Sequence, residues 1–176
     1  MLREPREDDG AGLFRYTSDP EVTRFLAIEP PGTIDDTLFF IEKCRERRCQ
    51  GTEYVFVIAD VVTDEAMGII CLRHIDPAMR TAQIGTWLAR DRWGSGANAE
   101  AKRLLLDFAF DRLRLHRVEA RIAVGNARSM RAFERLGAAR EGILRESFYK
   151  DGKYHDQHLY VILEQEWRAR PKRDGR

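Results

Sequence analysis

The sequence has 176 residues, of which 43% are hydrophobic and 34% are charged, and its formal net charge at pH 7 is +1. This length and composition are typical of one globular domain with its own core, and they exclude a disordered chain. Because 30 Lys and Arg residues nearly cancel 29 Asp and Glu residues, the overall charge gives no argument for direct nucleic-acid binding. Any anionic ligand must therefore be bound locally.

The chain lacks the apolar segments that membrane insertion or secretion requires. No apolar run approaches the ~20 residues that span a bilayer, and the start MLREPREDDG has no apolar signal-peptide stretch. We expect a cytoplasmic protein with no membrane partner. The odd number of cysteines (Cys44, Cys49 and Cys71) indicates reduced thiols. Cys44 and Cys49 have no matching Cys or His pair at zinc-site spacing, so we expect no metal.

The amino-terminal third predicts a short strand followed by two helices. The first residues fit the end of a strand, and REDDGAGLFRYTSDPEVTRFL indicates a short helix that ends at 18–20. The second helix is predicted over 33–49, with Thr33 as its cap. Its buried side is expected to include Leu38, Phe39 and Ile41.

The middle of the chain changes to β-branched and aromatic runs. Three such runs, at 54–62, 66–75 and 81–89, are separated by short turns, which predicts an antiparallel meander. A long helix follows, and a strand is predicted at 117–124. Because a crossover of helical length joins 81–89 to 117–124, these two strands should be parallel. The apolar residues that recur near the helical period of the long helix are Leu104, Leu105, Phe108 and Ala109.

The last part predicts one more helix and a hairpin. Residues 126–138 read as a helix, with Gly137 as its left-handed C-terminal cap. Two closing strands, at 139–149 and 155–164, are expected to turn at 151–152. The apolar face of the helix is predicted at Met130, Phe133 and Leu136.

A Gly-x-Gly turn immediately precedes the long helix, in the stretch DRWGSGANAEAKRLLLDFAF. A helix start offers free N–H groups and a partial positive charge, and Gly94 and Gly96 allow the backbone to approach an anion closely. A simple turn would explain the same residues. The sequence Gly-Lys-Ser/Thr of a nucleoside triphosphate loop is missing, and so is the third glycine of a dinucleotide fingerprint.

The string MGIICLRHIDPAMRTAQIGTWLARDRWGSGANAEAKRLLLDFAFDRLRLHRVEARIAVGNARSMRAFERLGAAREGILRE resembles the GCN5-related N-acetyltransferase (GNAT) superfamily. It most resembles the branch that acetylates the amino termini of ribosomal proteins, and the match extends from LREPREDD to GKYHDQHLYVILEQEW. The resemblance implies an α+β fold with about seven strands, mostly antiparallel, with one splayed parallel pair and about four flanking helices. It implies one domain over 1–168, a loose tail at 169–176, and acetyl-coenzyme A as the donor. Sheet-edge pairing of the last strands, as in many relatives, would give a homodimer.

The resemblance also implies where the coenzyme lies. Its pantetheine arm would insert between the diverging strands beside Trp87 and Leu88. Asp91 stands where Gln or Arg is usual, and Asn98 replaces a small residue; both put the affinity for the coenzyme in doubt. The pyrophosphate would lie on the loop formed by Trp93, Gly94, Ser95, Gly96 and Ala97, and Arg92 beside it is a further candidate for binding the coenzyme. Basic residues around this loop either meet the phosphates or form a solvated helix face: Arg90, Arg92, Lys102 and Arg103.

Two residues at the start of the helix predicted over 126–138 are candidates for the site. Asn126 is a helix N-cap, and the resemblance implies that it also contacts the coenzyme arm. Ser129 is either the proton donor to the departing thiolate or a first-turn serine that faces solvent. An oxyanion would be stabilised by a backbone N–H near Leu88.

The general base is the least constrained residue. Glu146 is the first candidate, since it precedes Phe148 on the same face of a predicted strand; an exposed surface glutamate is the alternative. Glu53 and Asp156 are further candidates, because a base can act through one water. His155 and His158 lie three apart on a strand and would face opposite sides, which argues against a metal pair.

Three functions fit these observations. The first is acetylation of a protein or peptide amino terminus. The second is acetylation of a small amine such as a polyamine, an amino acid or an aminoglycoside. The third is a coenzyme-binding or interaction module without catalysis.

Overall fold

The computed structural model describes residues 1–170, which form a seven-stranded sheet in the order β1-β2-β3-β4-β5-β7-β6. The strands are β1 (Leu2–Arg3), β2 (Tyr54–Ala59), β3 (Ala66–Asp76), β4 (Thr81–Leu88), β5 (Arg117–Ala123), β6 (Ala139–Lys150) and β7 (Lys153–Leu163). The helices are α1 (Gly10–Thr17), α2 (Pro20–Thr23), α3 (Ile34–Cys49), α4 (Ala97–Asp107), α5 (Ala127–Arg135) and α6 (Glu164–Arg168). The mixed α+β class and the seven strands are confirmed. Part of the predicted tail, 171–176, lies outside the described residues.

The predicted meander and the predicted parallel pair are both present. Strands β2, β3 and β4 are antiparallel neighbours, and β4 is parallel to β5. However, β4 pairs with β5 only where Thr81, Ala82 and Gln83 face Arg117, Val118 and Glu119. Beyond those three residues the two strands lack ladder partners on this side and diverge. This splay opens a gap in the middle of the sheet at the carboxyl ends of both strands.

Helices cover both faces of the sheet. Neighbouring residues of one strand, such as Ile69 and Ile70, point to opposite faces and are both buried. Ile69 packs with Leu13 of α1 and Ile41 of α3, whereas Ile70 packs with Leu105 of α4. The splay between β4 and β5 therefore lies between α4 on one face of the sheet and α1 and α3 on the other face.

Some predicted boundaries and buried faces were wrong. The side chain of Phe39 is 59% exposed, because α3 buries the stripe of Thr37, Ile41 and Cys44 instead. The second strand ends at Ala59, and the following residues form an exposed turn. The long helix changes to a π-helix at Phe108–Arg112. The prediction also missed the short helices α2 and α6.

Two predicted turns are confirmed by backbone dihedrals. Gly137 follows α5 with φ +67°, and the N–H groups of Gly137 and Ala138 donate to carbonyls of the last turn in a Schellman motif. The hairpin of β6 and β7 turns at Asp151 (φ +51°) and Gly152 (φ +74°), as a two-residue turn with positive φ at both positions requires.

Candidate active site

A groove of about 220 Å³ occupies the splay, on the face of the sheet covered by α4 and α5. The end of β4, the Gly-x-Gly loop, the starts of α4 and α5, and α2 all contribute to its walls. All of the predicted coenzyme residues except Ser95 and Ala97 line this groove. Its lining comprises Glu21, Val22, Phe25, Leu26, Thr86, Trp87, Leu88, Arg92, Trp93, Gly94, Gly96, Asn98, Ala99, Lys102, Asn126, Arg128, Ser129, Ala132 and Arg135.

The loop before α4 has the conformation expected of an anion site. Gly94 and Gly96 have φ of +82° and +88°, a region that L side chains rarely adopt. No side chain caps α4 at Gly96. The Ser95 hydroxyl accepts from the N–H of Ala97 at 3.3 Å, so these two residues build the turn rather than the groove wall. Although the N–H of Ala97 is engaged by Ser95, no side chain of the N-cap residue Gly96 caps α4, so the helix start presents a partial positive charge to the groove.

Trp93 ties this loop to both of its neighbours. Its indole N–H donates to the carbonyl of Leu88 at 2.8 Å, which fixes the loop against the end of β4. The guanidinium of Arg128, from α5, lies 3.3 Å from the centroid of the indole ring. The prediction missed Arg128, whose only sequence signal is its position two residues after Asn126.

The start of α5 is organised by Asn126. Its side-chain oxygen accepts from the N–H of Ser129 at 3.1 Å, so the N-cap interpretation is confirmed. Asn126 and Ser129 are half-buried and both line the groove. Ser129 therefore does not project wholly into solvent.

A second cavity, of about 230 Å³, lies on the other face of the sheet. Trp87 lines both cavities, and it packs against the cluster of α1 and α3. The two cavities thus share one lining residue, Trp87, in the splay. The second cavity is lined by Leu13, Thr17, Ile28, Glu29, Pro31, Asp36, Thr37, Phe40 and Trp87.

Residues 1–139 match the profile of the family described as Acetyltransferase (GNAT) domain. The chain belongs to this family. It is 31% identical over 166 residues to the uncharacterized N-acetyltransferase p20 of Bacillus licheniformis, covering 94% of this chain and 93% of that protein. It is 40% identical over 100 residues to the putative ribosomal N-acetyltransferase YdaF of Bacillus subtilis, covering 57% of this chain and 55% of that one.

Solved structures give the same fold. The spermidine N-acetyltransferase from Vibrio cholerae in complex with CoA and spermine superposes with a TM-score of 0.84 at 24% identity, covering 95% of this chain and 96% of that chain. The GNAT resemblance inferred from the sequence is confirmed, and the protein is an acetyltransferase of this family. In place of the expected four or so helices, residues 1–170 contain six.

The basic residues around the loop of this GNAT protein separate into two groups. Arg90 and Arg103 are exposed and lie outside the groove. Arg92 lines the groove, but its guanidinium is also within 4.0 Å of three carboxylates. One of these belongs to Asp91, whose side chain is mostly exposed and does not line the groove. The carboxylate of Asp91 therefore lies outside the groove lining, where it would oppose a bound pyrophosphate less.

Lys102 differs from the other basic residues, because its side chain is only 1% exposed. The expectation of a solvated helix face is wrong for this residue. Its ammonium donates to Oδ1 of Asn98 at 2.6 Å and lies 5.0 Å from the centroid of the Phe133 ring. Burial, together with the nearby charge of Arg128, lowers the pKa of Lys102 from 10.5 to about 7.

Glu146 lies in an irregular part of β6 and lines neither cavity. The expectation that it shares a face with Phe148 is wrong, because a bulge between Leu144 and Phe148 breaks the alternation. Glu146 has φ +51° and is exposed, and its N–H donates to the carboxylate of Asp156 at 2.8 Å. Its role as a base stays a prediction.

The remaining candidates for the base have partners of their own. Glu53 is paired with Arg47 at 2.9 Å, and Asp156 accepts the bond from the N–H of Glu146.

His155 pairs with Phe148 across the hairpin, whereas His158 is buried opposite Ile143. Among residues 1–170, no group of three or more potential metal ligands comes together, and no helix is both long and apolar enough to cross a bilayer.

Proposed function

We propose that this acetyltransferase transfers the acetyl group of acetyl-coenzyme A to the α-amino group at the amino terminus of a protein, such as a ribosomal protein. The observation that carries the proposal is the pair of cavities that meet at Trp87. The groove on the α4 side suits the coenzyme, since it has an uncapped helix start beside a glycine loop. The cavity on the α1 and α3 side then receives the acceptor amine.

The acceptor cavity is predominantly apolar. Leu13, Ile28, Pro31 and Phe40 contribute to its walls, and such walls suit the first side chain of a peptide. An α-amino group has a pKa near 7.7 to 8.0 in model compounds, whereas a lysine-type amine has one near 10.4. The α-amino group is therefore partly neutral at working pH, and it demands little of a general base.

The carboxylates of this cavity support the same choice. Asp36 accepts from the N–H of Thr33 at 2.9 Å, and bonds to Thr33 lower the pKa of Asp36. This makes it a weak base that is already engaged in the helix cap. Glu29 is 89% exposed in its side chain and lies 4.0 Å from the ammonium of Lys150. A polycation would need several unengaged carboxylates, and the residues that line this cavity offer few.

We assign the remaining roles as follows. Acetyl-coenzyme A supplies an activated thioester. The Ser129 hydroxyl delivers a proton to the departing thiolate, and the backbone near Leu88 stabilises the oxyanion. Asn126 both caps α5 and contacts the coenzyme arm, and Glu146 remains the candidate base. These assignments predict that Ser129→Ala and Glu146→Gln lower kcat while the affinity for coenzyme stays unchanged.

Mass spectrometry of reactions with a panel of amines tests the acceptor. The panel contains acetyl-coenzyme A with peptides that begin with Ser, Ala or Met, the same peptides with blocked amino termini, a polyamine, free amino acids and an aminoglycoside. We expect one added acetyl group on an unblocked peptide class and none on its blocked partner. Acetylation of a small amine alone would replace the proposal with small-molecule chemistry. Coenzyme binding without any product would favour a non-catalytic module.

The variant Glu29→Gln adds a matched control for the polyamine alternative. The amino-terminal proposal predicts little change in KM for the peptide, because Glu29 is exposed and already close to Lys150. A large rise in KM for a polyamine, with the peptide unreactive, would support the polyamine alternative instead.

A further inference from the structure

Lys102 is a buried lysine in the wall of the coenzyme groove. It forms no ion pair with any side chain among the described residues 1–170. An ammonium has three N–H donors, and only one acceptor, Oδ1 of Asn98, lies within hydrogen-bond distance of it. Burying a charge with unused donors is costly unless something else accepts from it. Among the described residues, the Lys102 ammonium in the groove wall therefore has more N–H donors than acceptors.

A short polar chain connects Lys102 to the splayed strand. Oγ1 of Thr86, on β4, lies 3.4 Å from Oδ1 of Asn98, and the same oxygen accepts from Lys102. The ammonium is consequently held by a residue one helical turn before it, beside Thr86 in the part of β4 that is not paired with β5. The Phe133 ring of α5 supports the ammonium from another side.

The other charged residues in the groove are mostly positive. Arg128 and Arg135 come from α5 and Arg92 from the loop, while Glu21 of α2 is the one carboxylate in the lining described above. None of the arginines can accept a hydrogen bond from Lys102. This environment favours a ligand rich in acceptor oxygens.

We propose that the ammonium of Lys102 binds a carbonyl oxygen of the pantetheine arm or of its thioester, and so positions the arm in the splay. The proposal rests on the proposed use of acetyl-coenzyme A. The backbone of Lys102 lies five residues after Ala97, or about 7.5 Å along the helix axis, but its side chain reaches back so that the ammonium contacts Asn98 in the first turn of α4. Because Asn98 also contacts Thr86 of β4, the ammonium lies on the side of the first turn that faces the strand along which the arm would run.

Calorimetric titration of the full chain tests this assignment with two ligands. Acetyl-coenzyme A carries the arm, whereas adenosine 3′,5′-bisphosphate carries phosphates and no arm. For Lys102→Met we expect acetyl-coenzyme A to bind about tenfold or more weakly, as for the loss of a charged hydrogen bond, with bisphosphate binding unchanged. Arg103→Met is the matched control, because it removes an exposed positive charge from the next position; it should leave both affinities unchanged.

The charge state of Lys102 gives a second readout. Its lowered pKa predicts that wild-type affinity for acetyl-coenzyme A falls as pH rises from 6 to 9, relative to the affinity for bisphosphate. Lys102→Met should remove this difference. Should Lys102→Met fail to fold, Lys102→Gln keeps an N–H donor group without the charge, and it should also lose the pH dependence.

The outcomes are distinguishable. Unchanged affinity of Lys102→Met for acetyl-coenzyme A would overturn the inference, and equal losses for both ligands would assign Lys102 to the phosphates instead. Wild-type protein that binds no acetyl-coenzyme A would overturn the proposed function itself. A loss confined to the ligand with the arm supports the inference.

Discussion

Replacement of Lys102 by Met should stabilise the protein, and by an amount that depends on pH. The pKa of Lys102 is lowered from 10.5 to about 7 in the folded protein, mainly because burial removes water from the ammonium. Below both values the lysine is charged in either state, and the folded state bears the full cost of burying it. At ~1.4 kcal/mol for each pH unit, the difference between 10.5 and about 7 corresponds to at most about 5 kcal/mol.

The sign of the pH dependence follows from proton counts. Between pH 7 and 10.5 the unfolded chain binds more protons at this position than the folded protein, so wild-type stability rises with pH. The advantage of Lys102→Met in the free energy of unfolding should be at most about 5 kcal/mol at pH 6 and should fall to at most about 2 kcal/mol at pH 9. Urea denaturation of both proteins at pH 6, 7, 8 and 9 measures this difference. A variant that is less stable than wild type at pH 6, or a constant difference across the series, would refute the reasoning.

Three further changes test other contacts. Arg3→Ala leaves the buried carboxylate of Asp9 without its partner, so the free energy of unfolding in urea should fall by ~3 kcal/mol; a loss below ~1 kcal/mol would contradict this. Asn126→Ala should cost ~1 kcal/mol, whereas Asn126→Asp keeps the capping oxygen and should not; equal losses would argue against the cap. Iodoacetamide should modify exposed Cys49 first, because burial raises the pKa of the other two thiols, to about 12 and about 11; peptide mass spectrometry would reveal any other order.

The strands and the groove loop could be predicted because their signals are local. Short turns fix an antiparallel meander, and a helical crossover fixes the parallel pair, whatever the rest of the chain does. The left-handed conformation of Gly96 likewise follows from the residue itself. The family resemblance then adds the use of the splay, which local patterns do not contain.

The errors arose where tertiary packing overrides residue type. In α3 the buried stripe runs through Thr37, Ile41 and Cys44, with helical spacing, while the more hydrophobic Phe39 faces solvent. The predicted buried position of Ile41 is confirmed, but residue hydrophobicity wrongly added Phe39, which helical spacing places off the stripe. The bulge before Phe148 has no glycine at its position of positive φ, so no residue in the sequence marks it.

At Lys102 the helical spacing and the residue type favour different positions. It is three and four residues before the buried Leu105 and Leu106, so the helical period places it on the core face of α4. Its charge suggested a solvated position, but the spacing was the better guide. Natural sequences depart from a fully apolar core chiefly where function requires it. Lys102→Met should therefore raise stability and weaken coenzyme binding together, because the same unused donors that are costly in the free protein are the ones that a carbonyl oxygen would satisfy.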